Sequence, residues 1–304
     1  MSVLKQPFAT PSRVRGVFRY LLSTKNQREK TEVLEKILSP DELVKNAPSP
    51  RPMLRATINE MVKVGILVKE DEEIAINSDL PENALNPQLG DKLLPDTLAE
   101  LFFASNNEDE EDFGRVCAWY LAQDIYDAPG NWEEVERQVD RQKVGDFLKM
   151  SNNVLHGQLD DWMCYLGLAW GHALGVKLAT ITDSNARVKR VTVPDPTAYI
   201  KRNLKDIFYE EQEILLTDFI TRLARKCPLF ETGKFREEVE SQVVLRQPNY
   251  LSTSTAFALF RLQDEGYIKL LRKSDADLML LPKVNNQVDD DGRISHIIWQ
   301  GEKS

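Results

Sequence analysis

One element occurs twice in this chain. An amphipathic helix closes on a glycine and passes at once into a short stretch of strand character. Leu54, Ile58, Met61 and Val62 lead to Gly65 and then Ile66-Leu67-Val68; Leu259 and Leu262 lead to Gly266 and then Tyr267-Ile268-Lys269-Leu270-Leu271. At a constant offset of 201, Ile58 meets Leu259, Met61 meets Leu262, Gly65 meets Gly266 and Leu67 meets Ile268. Glycine ends a helix at least cost in the left-handed conformation, so each copy reads as helix, stop and reversal. The likeness is one of pattern rather than identity, which marks a shared architecture and not a recent duplication.

Two further helices precede each copy. Thr10-Pro11-Ser12 caps the first, and Val14, Val17, Phe18, Leu21 and Leu22 form one helical face. The spacing predicts a second helix over 31–38 with Val33, Leu34, Ile37 and Leu38 inward. Ser39-Pro40-Asp41-Glu42 stops it and makes a capping box for a short turn through Val44. The third helix starts near Ser49-Pro50. After Gly65, the acidic turn Glu70-Asp71-Glu72-Glu73 separates Ile66–Val68 from Ile74–Ile76 as a hairpin. In the last third, Ile214, Leu215, Phe219, Ile220 and Leu223 mark one helix and Phe235, Val239 and Val243 a second. Ser252-Thr253-Ser254-Thr255 caps a third, and Leu278 to Leu281 reads as the return strand. Three helices and a β-hairpin are the plan of a winged helix. The expected fold is therefore mainly α with small β-hairpins: winged helices at 1–80 and 206–282 flank a helical middle domain at 91–205. In the polar tail 283–304, Ile294, Ile297, Ile298 and Trp299 dock back as a strand.

The middle reads as helices near 96–104, 112–126, 131–150 and 158–177, the third capped by Asn131 with Glu134. Gly167, Gly171 and Gly175 fall four apart in the last of these. Each costs roughly 1 kcal/mol of helix propensity, so close helix contact along that stripe is the expected compensation. Residues 179–197 look extended, and a helix follows to about 208.

Composition removes whole function classes. Cys117, Cys164 and Cys227 lie far apart, which fits a reducing cytoplasm and no disulfide framework. His156, His172 and His296 have no ligand partners at metal-site spacing. The longest uncharged apolar run, Trp162 to Val176, is shorter than a bilayer span. No phosphate loop, dinucleotide fingerprint, zinc-protease motif or nucleophile elbow occurs. The expectation is no catalytic residue, no cofactor, no metal and no membrane.

Net charge is −9, from 39 Lys and Arg against 48 Asp and Glu, but it is unevenly spread. Residues 1–69 carry 13 basic against 6 acidic side chains. A winged helix can lay its third helix in the DNA major groove. In the first copy Arg51, Arg55, Asn59 and Lys63 lie off the apolar face, and they are the candidate base and phosphate contacts. In the second copy the candidates are Ser252, Thr253 and Ser254 at the helix start, with Lys269, Arg272 and Lys273 on the wing. Arg187, Lys189, Arg190, Lys201, Arg202 and Lys205 form a third basic group. The four acids of the first wing oppose a DNA clamp and suit a protein partner with a basic surface.

Over its length, and in the segment TPSRVRGVFRYLLS, the chain resembles the DpdG-like accessory proteins of bacterial anti-phage deazaguanine-DNA (Dpd) clusters. That resemblance implies a non-catalytic component acting beside nuclease- or ATPase-class subunits. The expected role is binding or positioning double-stranded DNA within such an assembly. The alternative is a winged-helix interaction adaptor that does not touch DNA.

Overall fold

The computed structural model describes residues 2–43, 51–104, 107–150, 152–174, 189–244, 246–274 and 276–301. The chain divides into two compact units, Met1–Phe113 and Gly114–Ser304. Both are mainly helical with small antiparallel sheets.

The first unit contains α1 (Pro11–Ser23), β1 (Arg28–Lys30), α2 (Thr31–Leu38), α3 (Pro52–Val64), β2 (Leu67–Glu70), β3 (Glu73–Ile76), α4 (Glu82–Leu85) and α5 (Gly90–Phe102). The predicted face of α1 is its buried face: Val14, Val17, Phe18, Leu21 and Leu22 are nearly inaccessible, as are Leu54, Ile58 and Met61 of α3. Gly65 takes φ +91 and caps α3, with Ile66 N–H returning to Met61 O. The hairpin that follows pairs Leu67 with Ile76 and Glu70 with Glu73, and Asp71 makes the turn at φ +51.

Three expectations change here. A third strand, β1, pairs with β3, giving the order β1-β3-β2. Its sequence is Arg-Glu-Lys, so it carries none of the apolar alternation by which strands are recognised. Ile37 is 51% exposed rather than inward, because α2 turns Leu34 and the carboxylate of Glu35 into the module instead. The helix near 96–104 begins earlier, at Gly90, and packs on α1 and α4 within this unit rather than opening a separate middle domain. The turn after α2 is a short 3-10 segment, Asp41–Leu43. Val44 and the proposed start at Ser49-Pro50 lie outside the described residues.

The second unit begins inside α6 (Glu111–Ala122) and continues through α7 (Trp132–Gln142), α8 (Gly145–Leu148), α9 (Asn153–Leu166), β4 (Trp170–Leu174), β5 (Lys189–Val193) and α10 (Thr197–Phe208). Then come β6 (Glu213–Leu215), α11 (Leu216–Lys226), α12 (Lys234–Gln242), α13 (Thr253–Asp264), β7 (Ile268–Leu271), β8 (Met279–Leu280), β9 (Arg293–Ile294) and β10 (His296–Trp299). Asn131 caps α7 by accepting from Glu134 N–H as its pattern predicts, and the Glu134 carboxylate accepts from Gly130 N–H, one residue before the cap.

The glycine stripe is not a helix face. α9 ends at Gly167, which holds φ +77 as its left-handed cap, and Gly171 lies in strand β4. A Cβ on Gly167 would stand 2.7 Å from Arg202 Nη1 and 3.1 Å from Tyr199 N, so both conformation and space require glycine there. Gly175 lies outside the described residues.

The repeat holds in burial and backbone. Ile58, Leu259, Met61, Leu262, Leu67 and Ile268 are all at most 4% exposed, and Gly266 takes φ +74 against +91 at Gly65. The boundaries of the second copy differ from expectation. Ile214 and Leu215 belong to β6, not to a helix, and α10 packs on α13 much as α1 packs on α3. The return strand is not at 278–281. β8 pairs with β9, and β7 pairs instead with β10 from the tail, in the order β6-β10-β7. The tail thus supplies the central strand, with Ile297 fully buried.

Candidate partner-binding surfaces

The candidate cations of the first module are already engaged with carboxylates. Arg51 is 14% exposed; it donates from Nε to Ser39 O at 2.7 Å and from Nη2 to Asp41 at 2.5 Å, and Nη1 lies 3.6 Å from Glu35. Arg55 Nε donates to the other oxygen of Glu35 at 2.6 Å, which holds the Arg55 guanidinium above its ordinary pKa. Glu35 is 8% exposed. One buried carboxylate of α2 therefore anchors both arginines of α3.

Lys63 points away from that face. It lies against Glu60 one turn back and donates to Glu110 at 2.5 Å. Burial pulls the Lys63 ammonium down, but the hydrogen bonds to Glu110 and Glu60 outweigh it and the pKa is raised. Glu110 is fully buried, also accepts from Val3 N–H and Ser2 Oγ, and is pushed up by that burial. Lys63 thus ties α3 to the start of the chain and does not serve an outer face. Asn59 is exposed, as expected for a contact residue.

Between α2, α3 and the β2–β3 hairpin lies a groove of about 590 Å³. Arg55 and Asn59 line one wall, Lys30, Lys69, Asp71 and Glu72 the other, and Ile58 and Ile74 the floor. Arg28 bridges Glu70 at 3.4 Å and Glu73 at 3.5 Å, so one positive charge from within the sheet is shared between two of the four hairpin acids. Arg15 binds Asp91 through two hydrogen bonds of 2.7 Å, with Arg19 at 3.6 Å. The excess positive charge of residues 1–69 is outweighed within its own unit, which holds 14 Lys and Arg against 20 Asp and Glu, a net of −6.

In the second module Ser252, Thr253 and Ser254 are 4%, 5% and 0% exposed. Ser252 Oγ donates to Glu231 at 2.6 Å and accepts from Thr255 N–H as the helix cap. Thr253 Oγ1 accepts from Ile125 N–H at 2.9 Å, and Ser254 Oγ donates to Leu121 O at 2.5 Å. The reading of these hydroxyls as groove contacts is corrected: their oxygens are used inside the unit, because the start of α13 packs against the segment that follows α6. Sequence gave no sign of this, since a capping run looks the same exposed or buried.

Sequence reading also missed the charge centre behind them. Glu231 is 1% exposed and accepts from Arg246 Nη1 at 2.5 Å; Arg246 Nε donates to Glu240 at 2.6 Å, and the fully buried Arg236 lies 3.7 Å from Glu240. Burial pushes the Glu231 carboxyl up, but Arg236 and Arg246, with Ser252 and Thr255, hold it below the usual range. Burial holds the Arg236 guanidinium below its ordinary pKa. These four charges are spread over residues 231–246 with no motif spacing.

The remaining candidates lie on the second sheet. Lys269 is exposed and has no partner among the described residues. Arg272 is exposed and, among the described residues, reaches Asp290 alone, at 3.9 Å. Lys273 pairs with Glu213 of β6. In the third basic group, Lys201 sits 3.8 Å over the Tyr267 ring and 3.2 Å from Glu265, and Arg202 donates to Leu166 O at 2.7 Å. Lys205 is exposed, while Arg187 lies outside the described residues, as do the side chains of Lys189 and Arg190. Among the described residues no three His, Cys, Asp or Glu side chains are grouped to hold a metal ion, and no helix is long and apolar enough to cross a membrane.

A family model described as DpdG-like matches residues 1–276. No curated protein and no solved structure matches the chain.

Proposed function

The chain belongs to the DpdG-like family, and we propose that it serves as a non-catalytic adaptor within a bacterial Dpd defence system, docking protein partners through two winged-helix modules. Two features support the winged-helix reading. The first unit runs α1-β1-α2-α3-β2-β3 with β3 central, and the second follows this order as α10-β6-α11, α13-β7-β10 with β10 central, with α12 as an added helix before α13 and the β8–β9 pair added before β10. In both, the glycine-capped helix enters the sheet.

The observation that carries the adaptor reading is the convergence of Arg51 and Arg55 on Glu35. Binding DNA requires cations that replace condensed counterions on phosphate. Here Arg51 and Arg55 already face a carboxylate, Glu35, whose side chain is only 10% exposed. A net of −6 on the same unit adds long-range repulsion. The partners fitting this role are nuclease- or ATPase-class subunits of the same cytoplasmic system.

A second reading retains DNA positioning, through the second unit alone. Exposed Lys269 and the weakly paired Arg272 favour it.

The test is co-expression with the proteins encoded beside it, followed by light scattering on the purified complex after exhaustive nuclease treatment. The adaptor reading expects a complex of fixed stoichiometry that survives nuclease. Dissociation on nuclease treatment would mean that DNA, not protein contact, holds the components together.

A further inference from the structure

Resting on the adaptor reading, we propose that the groove between α2, α3 and the β2–β3 hairpin is the docking site of the first module, and that its occupant is a basic, amphipathic segment of a partner protein. The groove measures about 590 Å³, the scale of a site that takes a few side chains of a peptide. Its charge is assigned by subtraction. Arg55 is neutralised by Glu35 and Glu32 by Lys36, while Glu70 and Glu73 share the single positive charge of Arg28. Lys30 stands directly opposite Glu73 in the sheet register. Asp71 and Glu72, at the tip, are exposed and have no partner among the described residues. Lys30 and Lys69 are the two lysines that face them on the groove wall.

The turn itself presents these two carboxylates. Asp71 holds φ +51, and Glu72 O accepts from both the N–H and the hydroxyl of Thr31, so the tip is fastened to the start of α2. A fixed pair of unpaired acids above a floor closed by Ile58 and Ile74, 4% and 0% exposed, suits Lys or Arg at the rim with the alkyl stem laid toward the floor. The net charge of the unit, −6, draws a basic segment in and repels an acidic one.

Fluorescence anisotropy on the full chain tests this, with a labelled amphipathic Lys/Leu peptide, its Glu/Leu counterpart and duplex DNA as probes. The wild type binds the Lys/Leu peptide, and the double variant Asp71→Lys, Glu72→Lys binds it about tenfold or more weakly, a loss of about 1.4 kcal/mol or more. Lys69→Glu strengthens binding. Thermal melting of all three proteins confirms that these exposed positions leave folding unchanged. Equal binding to wild type and double variant, or no binding at all, overturns the groove assignment and leaves the nuclease-resistant complex of the adaptor reading untouched. Preference for the Glu/Leu peptide overturns the partner chemistry. Saturable binding of the labelled duplex DNA itself, weakened by Arg55→Ala, would place DNA in the groove, and the adaptor reading would fall with it.

Discussion

Replacing Glu231 by Gln removes one negative charge from a place where two arginines depend on it. Glu231 is 1% exposed, Arg236 is fully buried and Arg246 is 21% exposed. Removing one partner of a buried charge cluster costs about 3–5 kcal/mol, because the remaining ions are left without compensation. Glu240 still faces both arginines, which places this case at the lower end, about 3 kcal/mol. For a unit of this size each kcal/mol moves the midpoint by about 2–4 °C, so the expected fall is on the order of 6–12 °C. Scanning calorimetry and urea denaturation of the full chain read it. The pH dependence gives an independent check. The folded carboxyl titrates below its ordinary range, so its contribution is complete above that range and is lost as pH falls through the depressed value. Glu231→Gln therefore flattens the acid limb of the stability profile. A loss under about 1 kcal/mol, with the acid limb unchanged, would refute the buried cluster and, with it, the part Glu231 plays in holding Ser252 inside.

Other substitutions separate the causes argued above. Gly65→Ala costs about 1 kcal/mol from its left-handed backbone alone, since nothing lies within 4 Å of the added Cβ; Gly167→Ala costs more, because Arg202 and Tyr199 stand in the way. Calorimetry that ranks the two equally would contradict this. Ser254→Ala loses about 1–2 kcal/mol by removing the donor to Leu121 O, where an exposed hydroxyl would lose almost nothing. Hydrogen bonds from Arg15 hold the Asp91 carboxyl below its usual range. Asp91→Asn therefore loses about 0.5–1 kcal/mol at neutral pH, and the difference from wild type closes as pH falls through that carboxyl's titration. A difference that persists in strong acid would point to a packing effect.

Sequence carried the repeated element well, because a helix face, a glycine stop and an apolar strand are local signals. Ile58, Met61 and Gly65 sit as their spacing requires. What it missed is long-range or lacks an apolar signature. β1 is Arg-Glu-Lys and is a strand only because β3 lies beside it. β10 enters the second sheet from the tail, bypassing the nearer 278–281 stretch. The glycine stripe was periodic, yet its first member is a cap and its second lies in a strand. The candidate sites follow the same division. Arg55 and Asn59, read as DNA contacts, line a groove of the protein itself, and the carboxylate that neutralises Arg55 is 20 residues away, its position following from the packing of α2 on α3. For Ser252–Ser254, burial decided the role, and a capping sequence is silent on burial.

The most direct measurement is the affinity of the purified full chain for labelled duplex DNA, taken at two salt concentrations. With its α3 cations held by Glu35, the account predicts no saturable binding at either salt. A tight complex that weakens steeply as salt rises, and that Arg51→Ala with Arg55→Ala abolishes, would contradict it.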